Sequence, residues 1–257
     1  ATPPNTIRFN WLKILKTDLI QLLEEKGYEV EEGKLCQNSL HVKGSELLNT
    51  EMYKAGLFSV QDESSMLVAE KLNPKHGDLV MDVCAAPGGK TMAIAERMNN
   101  TGTIIASDIY RRKLDLVDKE AQRLGITNVQ TRSWDATRVD SSLIGKADKV
   151  LADVPCSGLG VIRRKPEIKY KEQTQEGELL PKKQLAILSA SSQYVKPGGR
   201  LIYSTCTINP YENQRVVTDF LKKNPNFKKV EAIQLLPHVN DTDGFFLCVM
   251  EKSKALV

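Results

Sequence analysis

Asp82-Val83-Cys84-Ala85-Ala86-Pro87-Gly88-Gly89-Lys90-Thr91 decides the fold. A short apolar run, residues 79–83, breaks at the Pro-Gly-Gly turn and resumes as an amphipathic helix through Arg97. The same alternation continues outward. A strand over 103–107 ends at Asp108, and a charged helix covers 111–124. Strands at 128–132 and 148–154 follow, the latter stopping at Pro155. A helix is predicted over 182–195, ended by Lys196-Pro197-Gly198-Gly199, with a strand at 200–204. A helix at 211–222 and strands at 227–233 and 245–251 complete the chain. Strands alternating with helices imply an α/β, Rossmann-like fold: a mostly parallel sheet with helices on both faces. The last strand follows the 241–244 turn too closely for a helical crossover, so it is expected to be antiparallel.

The first seventy-odd residues differ. A strand at 6–10 precedes a helix over 17–26, with Leu19, Ile20, Leu22 and Leu23 apolar and Gly27 as a stop. Strands at 28–30 and 40–42 and a helix at 64–72 follow. The expected division is a small α+β (RRM-like) appendage over 1–65 and a larger unit over 66–257, with the boundary between 60 and 75. The 257 residues are 41% hydrophobic and 26% charged, a composition that supports a packed core and argues against wholesale disorder. No stretch of eighteen apolar residues exists, which excludes a membrane-spanning helix. The opening Ala1-Thr2-Pro3-Pro4-Asn5 has no initiator Met, no basic segment and no apolar segment. A signal peptide is therefore not expected, and the natural chain is expected to start further upstream.

Three nucleotide-type readings compete for the glycine turn. A phosphate-wrapping loop needs Gly where Cys84 stands, and a dinucleotide fingerprint needs three spaced glycines where only Gly88 and Gly89 occur. The third is a ligand lying across the strand edge, where glycine permits close backbone approach. Asp108, 20 residues beyond Gly88 at the end of the next strand, stands where an acid can accept ribose hydroxyls. A nucleoside without phosphates fits this set, and S-adenosylmethionine (AdoMet) is the obvious case. A plain strand–helix turn, with Asp108 as a helix cap, is the alternative.

The five cysteines, Cys36, Cys84, Cys156, Cys206 and Cys248, form no CxxC pair, and only three histidines accompany them. A zinc cluster is not expected, and the set reads as reduced thiols of a cytoplasmic protein. Cys36, Cys84 and Cys248 read as small buried hydrophobes. Asp153-Val154-Pro155-Cys156-Ser157-Gly158 and Ser204-Thr205-Cys206-Thr207 each close a strand. If those strands are neighbours, both thiols face the crevice beyond the carboxyl ends, where α/β sheets bind ligands. Two thiols beside a nucleoside site imply nucleophile chemistry, since thiolates attack soft electrophilic carbon well.

The segments 82–91, 153–160 and 204–207 resemble the Sun-type RNA 5-methylcytosine methyltransferases. The resemblance runs from Phe58 through Asp243-Gly244-Phe245-Phe246 and more loosely over the first sixty residues. Phe58-Ser59-Val60-Gln61-Asp62-Glu63-Ser64-Ser65 is most similar to the branch acting on small-subunit ribosomal RNA. That branch usually carries an N-terminal helical RNA-binding domain, which is not present in this sequence. The resemblance implies a class I AdoMet-dependent methyltransferase fold, Cys206 as nucleophile, and Cys156 as the thiol that assists product release. It implies Asp153 and Lys90 as further catalytic residues. It also places AdoMet on Cys84, Ala85, Ala86, Pro87, Gly88, Gly89, Lys90, Asp108, Asp135 and Asp153. Asp153 could meet the cytosine edge or the cofactor, and Lys90 could equally be a solvated helix residue.

Arg163, Arg164 and Lys165 follow the Pro-Cys motif and are the candidate RNA contacts, with Lys169, Tyr170 and Lys171 beyond them. A solvated face is the competing reading. The net charge of +4 is compatible with an RNA partner without requiring one. The expected partner is small-subunit (16S) ribosomal RNA, methylated by a monomer that needs neither metal nor membrane. The alternatives are the same chemistry on another ribosomal or transfer RNA, or a binding-only ribosome-assembly factor on the same fold.

Overall fold

The computed structural model describes residues 5–162 and 176–254. The N-terminal part runs β1 (Asn5–Phe9), α1 (Lys16–Glu25), β2 (Glu29–Glu32), β3 (Ser39–Lys43), α2 (Glu51–Lys54) and β4 (Phe58–Val60). Its sheet has the order β2-β3-β1-β4 with every pair antiparallel, the split βαββαβ arrangement. Strand alternation sends Ile7, Phe9, Leu40, Val42 and Phe58 to one face, where they meet Leu19 and Leu23 of α1 and Met52 of α2. The opposite face carries Arg8, Ser39 and Ser59, all buried.

The second sheet has seven strands in the order β10-β11-β9-β8-β5-β6-β7. These are β5 (Leu79–Asp82), β6 (Thr103–Asp108), β7 (Val129–Ser133), β8 (Ala147–Asp153), β9 (Val195–Thr205), β10 (Phe227–Leu235) and β11 (Phe245–Lys252). Strands β5 to β9 are parallel, and β11 runs antiparallel to both β9 and β10, as the short final connection requires. On one face Val80, Ile104, Leu151 and Ile202 pack with α3 (Glu63–Leu72), α4 (Gly89–Arg97) and α5 (Arg111–Leu124). On the other, Met81, Val150, Leu201 and Phe246 pack with α6 (Glu176–Ser192) and α7 (Gln214–Lys223). A short α8 (Pro237–Asn240) precedes β11. Burial of both sheet faces explains why these strands read as apolar runs rather than alternating ones.

The chain departs from the sequence expectation at Lys196-Pro197-Gly198-Gly199. Helix α6 ends at Ser192, and these four residues lie inside β9 rather than after a helix. Ala147 pairs with Val195, but Lys149 pairs with Arg200, so the Pro-Gly-Gly segment bulges out of the ladder. Tyr194 and Val195, both buried, hold the strand in the sheet before the bulge, and Gly198 takes the left-handed φ of +79°. The first sheet ends at Val60, and α3 already packs in the second core. Among the described residues no helix is long and apolar enough to cross a membrane.

Candidate active site

Strand β5 delivers the chain into the glycine loop, and α4 leaves from it. Gly88 has φ +109°, a conformation that favours glycine, and a Cβ there would crowd Val117 on α5 at 3.2 Å. Residues 84–90 line a cleft of about 440 Å³ with Asp82 and Asp153, and Gln61, Ser65 and Asp243 line it too. Lys90 is the only basic residue among those that line it, against the carboxylates Asp62, Asp82, Asp153 and Asp243. That charge balance disfavours a phosphate-bearing ligand and suits a cationic nucleoside. Cys84 is held protonated by burial and by Asp82, Asp153 and Asp108. Burial likewise pushes the Asp82 carboxyl up to about 7, against the hydrogen bond it accepts from Thr91 Oγ1 at 2.7 Å.

Asp108 and Asp135 share the carboxyl edge of the sheet but do not line this cleft. Asp108 accepts from the Tyr110 N–H at 3.1 Å. Asp135 accepts from the hydroxyl and N–H of Thr137, which holds its carboxyl below the usual range. The cofactor set read from sequence therefore divides into residues 84–90 with Asp153, which share one cleft, and two acids outside it.

Strands β8 and β9 are adjacent and parallel, with Asp153 opposite Ser204. The two Cys motifs therefore leave the sheet side by side, and Cys156 Sγ lies 2.9 Å from Cys206 Sγ. The Cys206 N–H also donates to Cys156 Sγ at 3.3 Å. A hydrogen bond from the Cys156 thiol lowers the Cys206 pKa and Lys90 adds to this, while burial and Asp153 oppose it. The Cys156 thiol is raised by the same contact and by burial. The contact favours ionisation at Cys206 over Cys156. Lys90 is no solvated helix residue: its Nζ pairs with Asp153 Oδ2 at 2.8 Å and lies 5.4 Å from the centre of the Phe245 ring. Burial works against the Lys90 charge, but Asp153, together with Cys206 and Asp82, offsets it and the ammonium is favoured. Asp153 Oδ1 accepts from Ser204 Oγ at 2.8 Å, which fixes the carboxylate between the lysine and the strand.

Sequence reasoning missed Glu212, a buried carboxylate bonded to both cysteine-bearing loops, and Gln61, which links the cleft to the N-terminal sheet. Glu212 lies six residues past Cys206, and its contacts depend on the loop between. Arg163, Arg164, Lys165, Lys169, Tyr170 and Lys171 lie outside the described residues. Among the described residues no group of three His, Cys, Asp or Glu is arranged to hold a metal ion.

A profile of the family described as "16S rRNA methyltransferase RsmB/F" matches residues 69–251, nearly all of the second sheet and its helices. The chain belongs to the RsmB/F family. It is 38% identical over 97% of its length to the "Probable ribosomal RNA small subunit methyltransferase B" of Bacillus subtilis. It is 34% identical to the "28S rRNA (cytosine-C(5))-methyltransferase" of Mus musculus, again over 97% of this chain. It spans 60% of the first relative's length and 35% of the second's. Among solved structures, PH0851 superposes with a TM-score of 0.94 at 33% identity, over 98% of this chain and 60% of that one. NSun6 from Pyrococcus horikoshii, solved with SFG, superposes at 0.89 over 98% of this chain and 92% of that one; at 24% identity it speaks to fold alone. Both superpositions extend through the N-terminal sheet as well as the larger one.

Proposed function

We propose that this chain is the catalytic part of an AdoMet-dependent RNA (cytosine-C5)-methyltransferase whose substrate is 16S ribosomal RNA. The observation that carries it is the Cys156–Cys206 pair, 2.9 Å apart at the ends of adjacent parallel strands and beside the Lys90–Asp153 ion pair. Cytosine C5 is a poor nucleophile; thiolate addition at C6 makes C5 enamine-like. Cys206 adds to C6, favoured as thiolate by the Cys156 hydrogen bond. AdoMet, when bound, supplies the electrophilic methyl that C5 takes up. A base then removes the C5 proton, the C5–C6 double bond reforms and the Cys206 sulfur leaves. Cys156, the protonated partner, assists that departure. Asp153 and Lys90 would hold the cytosine edge, Asp153 as acceptor for its amino group and Lys90 as donor to its carbonyl. Residues 84–90 and Asp153 would cradle AdoMet, and Asp108 and Asp135 would extend that site along the sheet edge.

In this reading residues 1–65 are an appendage to a catalytic domain over 66–257, and the protein works as a cytoplasmic monomer. Arg163, Arg164 and Lys165 would contact RNA phosphates. The target base must leave its stack to reach the thiol, so a loop or opened helix is the substrate form.

The test uses single-cysteine variants with ribosomal RNA and labelled AdoMet. Cys206→Ala abolishes methyl transfer while AdoMet binding survives. Cys156→Ala still permits attack but stalls release, so a covalent protein–RNA species accumulates on a denaturing gel, and the double variant loses it. Full methylation by both single variants, with no trapped RNA, would sink the covalent mechanism.

A further inference from the structure

Both cysteines sit on loops, yet their sulfurs are held 2.9 Å apart. The side chain that ties the two loops together is Glu212, in the turn before α7 and 2% exposed. Its carboxylate accepts from the Ser157 N–H at 2.9 Å and the Ser157 hydroxyl at 2.6 Å. It also accepts from the Thr207 hydroxyl at 3.4 Å and from Gln184 Nε2 at 3.1 Å. Ser157 directly follows Cys156, and Thr207 directly follows Cys206. The two hydroxyls lie 2.9 Å from each other. Gln184 Nε2 donates as well to the Pro155 carbonyl at 2.9 Å, so Cys156 is gripped on both sides. A buried carboxylate is costly unless its lone pairs are satisfied; here the donors that satisfy it are the loops themselves.

We propose that Glu212 is a positioning residue that clasps the Cys156 and Cys206 loops and sets the distance between the two thiols. The role in catalysis rests on the function proposed above; the geometric role does not. Asn213, the next residue, supports the clasp from the strand side. Its Nδ2 donates to the Thr207 carbonyl at 2.9 Å and its Oδ1 accepts from Thr205 Oγ1 at 2.6 Å. Without the carboxylate, the Ser157 amide and hydroxyl, the Thr207 hydroxyl and the Gln184 amide lose a shared acceptor in a site with little water. The loops then separate, and the thiols lose the proximity on which proton exchange between them depends.

The experiment compares Glu212→Ala, Glu212→Gln and Ser157→Ala with the parent chain. One arm needs no RNA: diamide, a two-electron thiol oxidant, takes one hydrogen from each thiol to leave a Cys156–Cys206 disulfide and the reduced hydrazine. Its rate, followed by mass spectrometry, reports thiol proximity. Glu212→Ala is expected to slow it at least about tenfold, with Glu212→Gln and Ser157→Ala intermediate, while AdoMet affinity stays within about twofold. The second arm measures methylation, where kcat falls in the same order and KM for RNA changes less than about threefold. If Glu212→Ala does not fold, the other two variants decide on the same criteria. Folded variants that form the disulfide as fast as the parent overturn the proposal, whatever their activity. A slowed disulfide in a chain whose parent methylates no RNA cytosine leaves the clasp standing and removes the proposed function instead.

Discussion

Replacing Arg8 tests what locks the N-terminal sheet to the glycine loop. Arg8, on β1, is 2% exposed and meets Glu96 on α4, 3% exposed, through two contacts: Nε to Oε2 at 2.7 Å and Nη2 to Oε1 at 3.2 Å. Nη1 donates to the Gly89 carbonyl at 3.2 Å and to Gln61. Arg8→Met keeps much of the volume but leaves Glu96 buried without its cation. Removing one partner of a buried pair costs about 3–5 kcal/mol, so unfolding in urea at pH 8 is expected to show a loss of that order. Burial already raises the Glu96 pKa, with Arg8 the main opposing influence. In the variant Glu96 holds its proton to higher pH. A raised folded-state pKa contributes stability that is present below the unfolded value and lost as pH rises through the folded one. The deficit is therefore smaller near pH 5 than at pH 8. Adding Glu96→Leu removes the stranded carboxylate and recovers most of the loss. A deficit below about 1 kcal/mol, or one equal at both pH values, would refute this account of the interface.

Two further outcomes follow from the site and one from the sequence. Lys90→Met removes the ammonium that favours the Cys206 thiolate, so the pH profile of Cys206 alkylation by iodoacetamide shifts upward; an unmoved profile would separate Lys90 from the thiol. Asp82→Asn cannot titrate: because burial lifts the Asp82 pKa to about 7, the parent loses stability as pH rises toward that value and the variant does not. Thermal melts at pH 8 should favour the variant by up to about 4 kcal/mol, and identical pH profiles would count against a protonated Asp82. Replacing Arg163, Arg164 and Lys165 with Ala should make the slope of log K for RNA against log salt shallower by about 2, at about 0.7 per lost contact, with AdoMet affinity intact. An unchanged slope would return those residues to a solvated face.

What the sequence made legible was carried by local chemistry. A Pro-Gly-Gly turn between an apolar run and an amphipathic helix announces a strand–helix junction. Two Cys motifs at strand ends come together once β8 and β9 are neighbours, as they are. The last strand's direction followed from a loop too short to cross the sheet. What stayed hidden was set by long-range packing. Arg8 looks like an ordinary strand cation, and only the docking of the two sheets gives it Glu96, 88 residues away. Glu212 reads as a surface acid beside Tyr211 and becomes a buried clasp only when both loops arrive on it. The Lys-Pro-Gly-Gly segment carries every local signal of a break, yet buried Tyr194 and Val195 overrule them and keep the strand paired with β8 on both sides of a bulge that shifts its register.

The N-terminal sheet shows why topology alone does not assign a binding mode. A four-stranded βαββαβ unit binds single-stranded RNA elsewhere by stacking bases on the open face of its sheet. Here that face is closed. Arg8 is paired with Glu96, the Ser59 hydroxyl donates to Glu120 at 3.1 Å, and Asn10 Nδ2, just beyond β1, donates to the Leu124 carbonyl at 3.0 Å. These contacts reach α4, which leaves the glycine turn, and α5, whose Val117 packs against Gly88. The first of them continues through Gln61, which lines the cleft, and through the Gly89 carbonyl at the start of α4. The sheet is thus built into the wall of the ligand site rather than presented to a strand of RNA. On the function proposed above, RNA contacts would fall to other surfaces of the chain than this sheet face.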